Sequence, residues 1–312
     1  MKALVIDKIH DVMFQMFSES GIDYDYKPSI TKKEFDEIIS EYEILIIRSK
    51  FKIKTEEIDK GKNLKVIGRV GAGLENIDVS YAESKGIICL NSPEGNRDAV
   101  GEHAMGMLLN LMNNIPKAHN EIKKGIWDRE GNWGTEISDK TVGIIGYGNM
   151  GNAFAKRVKA FTPNVLAYDK YKTNFSDEFV QEASMAELFE SCDILSLHVP
   201  LTEETKYLIS EEYINKFKKT FILINAARGE CVKTEDLVAA MEQDKITGAC
   251  LDVLEYEKTT FEEMFSEKMP KALAYLISSD KVILTPHIAG WTDEAYYKLS
   301  EVMANKVIGA IK

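Results

Sequence analysis

The side chains here that can move a proton or grip an anion are few enough to weigh singly. Among five histidines, His287 is the best acid/base candidate. It follows the apolar run 282–284 and a Thr-Pro pair, and a glycine-bearing loop follows it. Imidazole titrates near neutrality, and a neighbouring carboxylate would raise its pKa by favouring the cation. His10 and His119 lie in polar, helix-like surroundings and are expected at the surface. His103 and His198 are expected pocket residues with no assigned proton. Arg228 sits in a turn after the apolar run 221–224, where a guanidinium can hold a carboxylate with two parallel hydrogen bonds and polarise an adjacent carbonyl. Asp252, Glu255 and Glu257 are nearby acids, and their types alone do not choose which would pair with His287.

A second constellation is the stretch GIIGYGNMG, residues 143–151, with G-x-G-x-x-G spacing at Gly146, Gly148 and Gly151. An apolar run precedes it and a helix-compatible segment follows at 152–161. The run 165–169 then closes on Asp169. This order makes a mononucleotide-binding βαβ unit. Gly146 would allow the tight turn, Gly148 the approach of a pyrophosphate, and Gly151 close packing of helix on strand. Asn149 and Met150 would offer backbone N–H groups to the phosphates at the positive end of the helix dipole. Asp169 would accept hydrogen bonds from the adenosine ribose and repel a 2′-phosphate, which predicts NAD rather than NADP.

The elements that must position these groups alternate between strand and helix. Residues 1–94 read as a small parallel α/β domain, with strands at 3–6, 44–47, 64–67 and 87–90 and helices at 11–18, 32–40 and 79–84. A long helix is predicted over 97–114, ended or kinked by Pro116, and a polar loop leads on to Lys140. After the glycine unit come strands at 194–197, 221–224, 248–253 and 282–284, a helix with a Ser184/Glu187 capping box, and a helix capped by Thr234. Polar residues follow the ends of successive strands, where an open parallel sheet binds its ligands. The terminal segment 292–311 reads as a helix, with a break near Gly309 as the alternative, and would return to the first domain.

Bulk properties set the class. Fifty acids against 39 Lys and Arg give a formal charge of −11, which suits solubility and disfavours nucleic-acid binding. No stretch approaches a membrane span, and an acid at position 7 argues against a signal peptide. A cytoplasmic protein is expected. The four cysteines form no C-x-x-C pair and read as buried, reduced thiols. No H-E-x-x-H and no Cys/His cluster suggests a metal site.

The strings NAARGECVKTEDLVAAM, GACLDVLEYE and LTPHIAGWTDEA, in that order, resemble consecutive signatures of the D-isomer-specific 2-hydroxyacid dehydrogenase family. LHVPLTEETKYLI resembles the segment bordering its cofactor. The resemblance implies two doubly wound parallel-sheet α/β domains, with a Rossmann NAD-binding domain (95–288) inserted into a flavodoxin-like substrate-binding domain (1–94 with 289–312). It implies NADH-linked interconversion of a 2-keto and a 2-hydroxy acid. Arg228 would bind the carboxylate, His287 would donate or accept the proton, and Glu257, the later glutamate of LDV-x-x-x-E, would pair with that histidine. Lys258 stands where the family usually has proline. His198, Val199, Pro200, Ala226, Ala227 and Asp252 would line the cofactor, Asp252 on the nicotinamide side.

The string GRVGAGLENIDVSYAESKGI, with Arg69, Gly71, Ala72 and Gly73, resembles the family's substrate-carboxylate loop, a backbone anion nest. NSPEGNRDAVGEH, Arg48-Ser49 and Trp127-x-Arg129 resemble the phosphoglycerate-oxidising branch, in which arginines such as Arg48, Arg69 and Arg129 would meet a phosphate. The expected reaction is oxidation of D-3-phosphoglycerate to 3-phosphohydroxypyruvate in serine biosynthesis, or the reverse. Glycerate, hydroxypyruvate or D-lactate turnover is the alternative, and an NAD-binding corepressor with little turnover is a reading from another class. The family also implies a homodimer through the long helix and the following loop. Three departures restrain the branch: His103 replaces an apolar residue, a helical excursion is inserted at 261–278, and 312 residues leave no room for the regulatory domains of many relatives, so feedback through them is not expected.

Overall fold

The computed structural model describes residues 1–257 and 269–311. The chain divides into two compact units, Met1–Arg97 with Trp291–Lys312, and Asp98–Gly290. Each is built on one all-parallel sheet.

The first unit runs β1 (Lys2–Val5), α1 (Val12–Glu19), β2 (Asp23–Tyr26), α2 (Lys32–Ile38), β3 (Ile44–Ile47), α3 (Thr55–Lys60), β4 (Val66–Arg69), α4 (Val79–Ser84) and β5 (Ile88–Asn91). Its strand order is β2-β1-β3-β4-β5. Central β3 is buried along its whole length, as the unbroken run ILII requires of a parallel strand covered on both faces. Edge strand β2 is a mostly exposed DYDY, and it escaped sequence reading because it carries no apolar face.

The second unit continues with α5 (Arg97–Met112), α6 (Ile115–Lys123), β6 (Val142–Ile145), α7 (Asn149–Val158), β7 (Val165–Tyr168), β8 (Gln181–Glu182), α8 (Met185–Ser191), β9 (Ile194–Leu197), α9 (Glu211–Ile214), β10 (Phe221–Asn225), α10 (Thr234–Glu242), β11 (Ile246–Leu251), α11 (Lys271–Ser278) and β12 (Val282–Leu284). The order is β12-β11-β10-β9-β6-β7-β8. The chain winds outward from β6 through β7 to β8, returns to β9, and winds outward the other way. The switch point therefore lies between β6 and β9, where such sheets open a ligand crevice. α12 (Asp293–Ala310) belongs to the first unit and packs on α1, β4 and β5.

Several expectations need correction. Pro116 does not lead into a loop: Asn114 takes a left-handed conformation (φ 51°), and proline then sits in the first turn of a new helix, α6, where its missing N–H has no cost. Thr234 is the first residue of α10 rather than its cap, which is Lys233. The last helix, α12, runs to Ala310, one residue past the alternative break at Gly309, because one exposed glycine costs a helix too little to stop it there. Of the excursion expected at 261–278, residues 261–268 lie outside the described part, and α11 occupies 271–278.

Candidate active site

All strands being parallel, the residues after β6, β7, β9, β10, β11 and β12 share one edge of the second sheet. After β6, Gly146 adopts φ 92°, and a Cβ there would come within 2.5 Å of the His198 carbonyl oxygen. At Gly151 a Cβ would fall 2.1 Å from the Gly146 oxygen, so only hydrogen lets the start of α7 settle against the turn. A Cβ at Gly148 would meet nothing within 4 Å. That combination, two crowded glycines around an open one at the N-terminus of α7, fits a dinucleotide pyrophosphate. Asn149 and Met150 open α7 and carry N–H groups of its first turn. After β7, Asp169 accepts the Tyr147 N–H at 2.9 Å and the Tyr171 N–H at 3.0 Å, so this acid pins the glycine turn.

After β9, the His198 ring bonds to Ser196 Oγ at 2.8 Å and lies 5.4 Å from the Phe154 ring. Burial drives its pKa down to about 3, so it is a neutral imidazole. Its Nδ1 is buried and has no partner among the described residues. Val199 is half-buried and Pro200 exposed beyond it.

The segment after β12 holds His287, half-exposed and in the left-handed region at φ 55°. Its Nδ1 lies 2.7 Å from Glu257 Oε2. This hydrogen bond is the chief reason its pKa is raised; burial opposes, the charges of Glu257 and Asp252 add, and Arg228 lowers it. Glu257 is fixed in turn, its Oε1 accepting the Leu254 N–H at 2.7 Å. Glu255 is occupied elsewhere, taking the Thr234 N–H at 2.8 Å at the start of α10. The geometry thus separates two acids that residue type left equivalent.

Asp252, after β11, is 1% exposed. Its carboxylate accepts from Thr285 Oγ1 (2.6 Å), Ile288 N (2.8 Å) and Ala289 N (2.9 Å), and its carbonyl accepts His287 N–H at 2.8 Å. It therefore braces the histidine loop, a duty its sequence position did not reveal. Thr285 was missed because a hydroxyl before proline carries no chemical signature. His103, from α5, places Nε2 2.9 Å from Thr285 Oγ1.

After β10, Asn225 is fully buried and shapes the arginine turn: its Oδ1 accepts Ala227 N–H and its Nδ2 donates to the Arg228 carbonyl, both at 3.0 Å. Ala226 and Ala227 lie within this turn. Arg228 Nη1 donates to the Ala227 carbonyl at 2.6 Å. Gly229 is obligatory, because a Cβ there would stand 1.9 Å from the Leu254 oxygen.

In the first unit the corresponding sheet edge carries Arg48 and Arg69. Asp7, just beyond β1, accepts the N–H groups of Arg48, Ser49 and Lys50 at 2.5–3.2 Å. The Arg48 guanidinium lies 5.0 Å from the Trp291 ring centroid. Arg69 donates to the carbonyls of Arg48 (3.0 Å) and Gly73 (3.1 Å), which makes it a brace of this loop. The Gly71 N–H is already given to Ser92 Oγ at 3.2 Å, so of the expected nest only Ala72 and Gly73 keep N–H groups with no acceptor among the described residues. Arg129 belongs to the second unit, in an exposed segment after α6.

The profile described as "D-isomer specific 2-hydroxyacid dehydrogenase, NAD binding domain" matches residues 105–289. D-3-phosphoglycerate dehydrogenase of Archaeoglobus fulgidus is 35% identical over 314 residues, covering 100% of this chain and 58% of that protein. Hydroxypyruvate reductase of Thermotoga maritima is 39% identical over 278 residues, 89% of this chain and 88% of that protein. Among solved structures, D-lactate dehydrogenase from Aquifex aeolicus, complexed with NAD and lactic acid, superposes with a TM-score of 0.83 at 29% identity, covering 98% of this chain and 94% of that one. The chain thus spans little more than half the length of the phosphoglycerate dehydrogenases it matches. The matched domain and the glycine cradle agree on NAD(H) as cofactor. On these grounds the chain belongs to the D-isomer specific 2-hydroxyacid dehydrogenase family.

Proposed function

We propose that this protein interconverts a D-2-hydroxy acid and its 2-keto acid with NAD(H), and that its substrate pair is D-3-phosphoglycerate and 3-phosphohydroxypyruvate. The observation that carries the reaction is the 2.7 Å pair between His287 Nδ1 and Glu257 Oε2. With Nδ1 held by the carboxylate, Nε2 is the nitrogen left to meet a substrate oxygen, and the raised pKa keeps a proton there for delivery. Arg228 grips the carboxylate of the keto acid and draws electron density from the adjacent carbonyl. The nicotinamide, when bound, supplies or receives the hydride. In reduction, His287 gives its proton to the oxygen as negative charge develops; in oxidation, the neutral ring takes it back and Glu257 stabilises the resulting cation. Gly146, Gly148, Asn149, Met150, Gly151 and Asp169 hold the pyrophosphate and ribose, with His198, Val199, Pro200, Ala226, Ala227 and Asp252 bordering the remainder.

Support for a phosphorylated substrate comes from relatives named D-3-phosphoglycerate dehydrogenase at 35% and 37% identity over essentially the whole chain. Arg48, with Arg129, would meet the phosphate, while Arg69 and residues 71–73 shape the carboxylate loop. Hydroxypyruvate or glycerate turnover is the second reading, favoured by the 39% identity to a hydroxypyruvate reductase along 88% of its length. A test supplies NADH with 3-phosphohydroxypyruvate, hydroxypyruvate, glyoxylate and pyruvate, following nicotinamide absorbance. Higher kcat/KM for the phosphorylated acid is expected. Equal or better use of hydroxypyruvate would replace the first reading by the second, and no turnover of any would defeat both.

A homodimer is part of the same proposal. The apolar face of α5 is packed inside its own unit, but Ile115, Ile122, Ile126, Trp127 and Trp133, on α6 and the segment after it, are exposed. Sedimentation should give a dimer that I122D combined with W127A converts to a monomer.

A further inference from the structure

The loop that presents His287 is bound at one end to a residue nothing in the proposed chemistry uses. Thr285 Oγ1 lies 2.6 Å from Asp252 Oδ1 and 3.6 Å from Met107 Sδ, and its single proton goes to the carboxylate, the nearer and charged acceptor. Its oxygen must then accept from His103, 2.9 Å away, so His103 carries its proton on Nε2. The same nitrogen is 3.5 Å from Asp252 Oδ1, adding attraction to the buried carboxylate. Asp252 spends its remaining capacity on the N–H groups of Ile288 and Ala289. A continuous chain of hydrogen bonds thus runs from α5, through the Thr285 hydroxyl and the Asp252 carboxylate, to the backbone N–H groups of Ile288 and Ala289 that follow His287.

We propose that His103 is a positioning residue for His287: by donating to Thr285 it commits the threonine hydroxyl to Asp252, and Asp252 so fixed holds His287 in its left-handed conformation against Glu257. The conformation needs such a brace, because a non-glycine residue at positive φ is disfavoured on its own. An apolar side chain at 103 would leave the Thr285 oxygen with a lone pair unmet and free its hydroxyl to rotate away from the carboxylate. The brace would loosen, and with it the register between the imidazole and Glu257.

The test uses the full-length protein and variants H103L, H103Q and T285V, with the His287 ring titrated by NMR in the absence of substrate. H103L should lower the His287 midpoint towards that of an ordinary imidazole. It should slow keto-acid reduction about ten-fold, as a displaced catalytic group does, while NADH affinity holds. H103Q, whose amide nitrogen can occupy the place of Nε2, should restore both. T285V should reproduce H103L, and the double variant H103L/T285V should be no worse than T285V, because both cut one chain. An unchanged midpoint in H103L, or losses that multiply in the double variant, would overturn the proposal. If H103L does not fold, T285V against T285S makes the same comparison from the other end, with T285S expected to behave like the unmodified protein. The inference rests on His287 as the proton-transferring group. Failure of every keto acid to react would defeat that reading, while the NMR midpoint would still report the coupling.

Discussion

Two turns at one edge of the second sheet solve the same problem by opposite means. The turn after β6 and the segment after β12 each hold a residue at positive φ, Gly146 at 92° and His287 at 55°. At Gly146 the conformation is nearly free, and the turn works through what is missing: no Cβ at 146 to strike His198, none at 151 to strike Gly146. The role proposed for His287 needs its side chain, and the strain of its conformation, on the order of 1 kcal/mol, is offset by bonds that Asp252 accepts from Ile288 and Ala289 and by the pairing of the ring with Glu257. A cofactor cradle can be built from backbone alone, whereas a proton donor must be braced by other side chains.

The largest expected effect is at the braced turn. H287A should cost about 10²–10⁴-fold in kcat, the usual worth of a positioned acid/base group, while NADH titration by fluorescence stays close to that of the parent. A parallel loss of NADH binding would mean that the two turns are not separable. G151A is the converse experiment. Its methyl group would drive α7 from the Gly146 carbonyl, and NADH affinity should fall about ten- to a hundred-fold by calorimetry, the 1–3 kcal/mol that overpacking costs, with the His287 NMR midpoint unmoved.

E257Q sharpens the electrostatic side. Removing the carboxylate removes the main cause of the raised His287 pKa, so the limb of the kcat/KM profile for reduction should move to lower pH. Stability carries the same sign. A raised folded pKa adds stability that is complete below the free-imidazole value of about 6.5 and is lost as pH climbs through the folded value. The Tm gap between parent and E257Q should therefore be widest near pH 6 and narrow towards pH 9. The smallest effect belongs to D169A. Losing the ribose acceptor and the charge facing a 2′-phosphate should raise the ratio of NADPH to NADH efficiency about ten-fold, measured at saturating keto acid.

What could be read in advance followed the same division. The glycine turn was legible because its information is local: three glycines, a strand before, a helix and Asp169 after. Buried parallel strands such as ILII and VGII were equally plain, since burial on both faces demands unbroken apolar runs. Edge strand β2, the short β8 and the single-turn α9 were invisible, as they bury too little to leave a pattern. Around His287 the residue types identified candidates but not partners. The bond from Thr285 to Asp252 joins positions 33 apart, and that from His103 to Thr285 spans 182, separations over which no periodicity carries information. Arg69 illustrates another limit of residue type, since a guanidinium suited to a substrate anion serves equally well to tie two backbone carbonyls, and sequence alone did not reveal the second duty.

The contact beneath Gly229 bears on how this protein can be altered. Its α-carbon lies so near the Leu254 carbonyl that no side chain fits, and the Leu254 N–H is the group that anchors Glu257. The arginine turn and the glutamate turn are therefore meshed like two gears through one residue, Leu254. A library that varies residues 226–229 to retune the carboxylate recognition proposed for Arg228 will also disturb Glu257, the partner of His287, so improved variants should arise as paired changes on both turns.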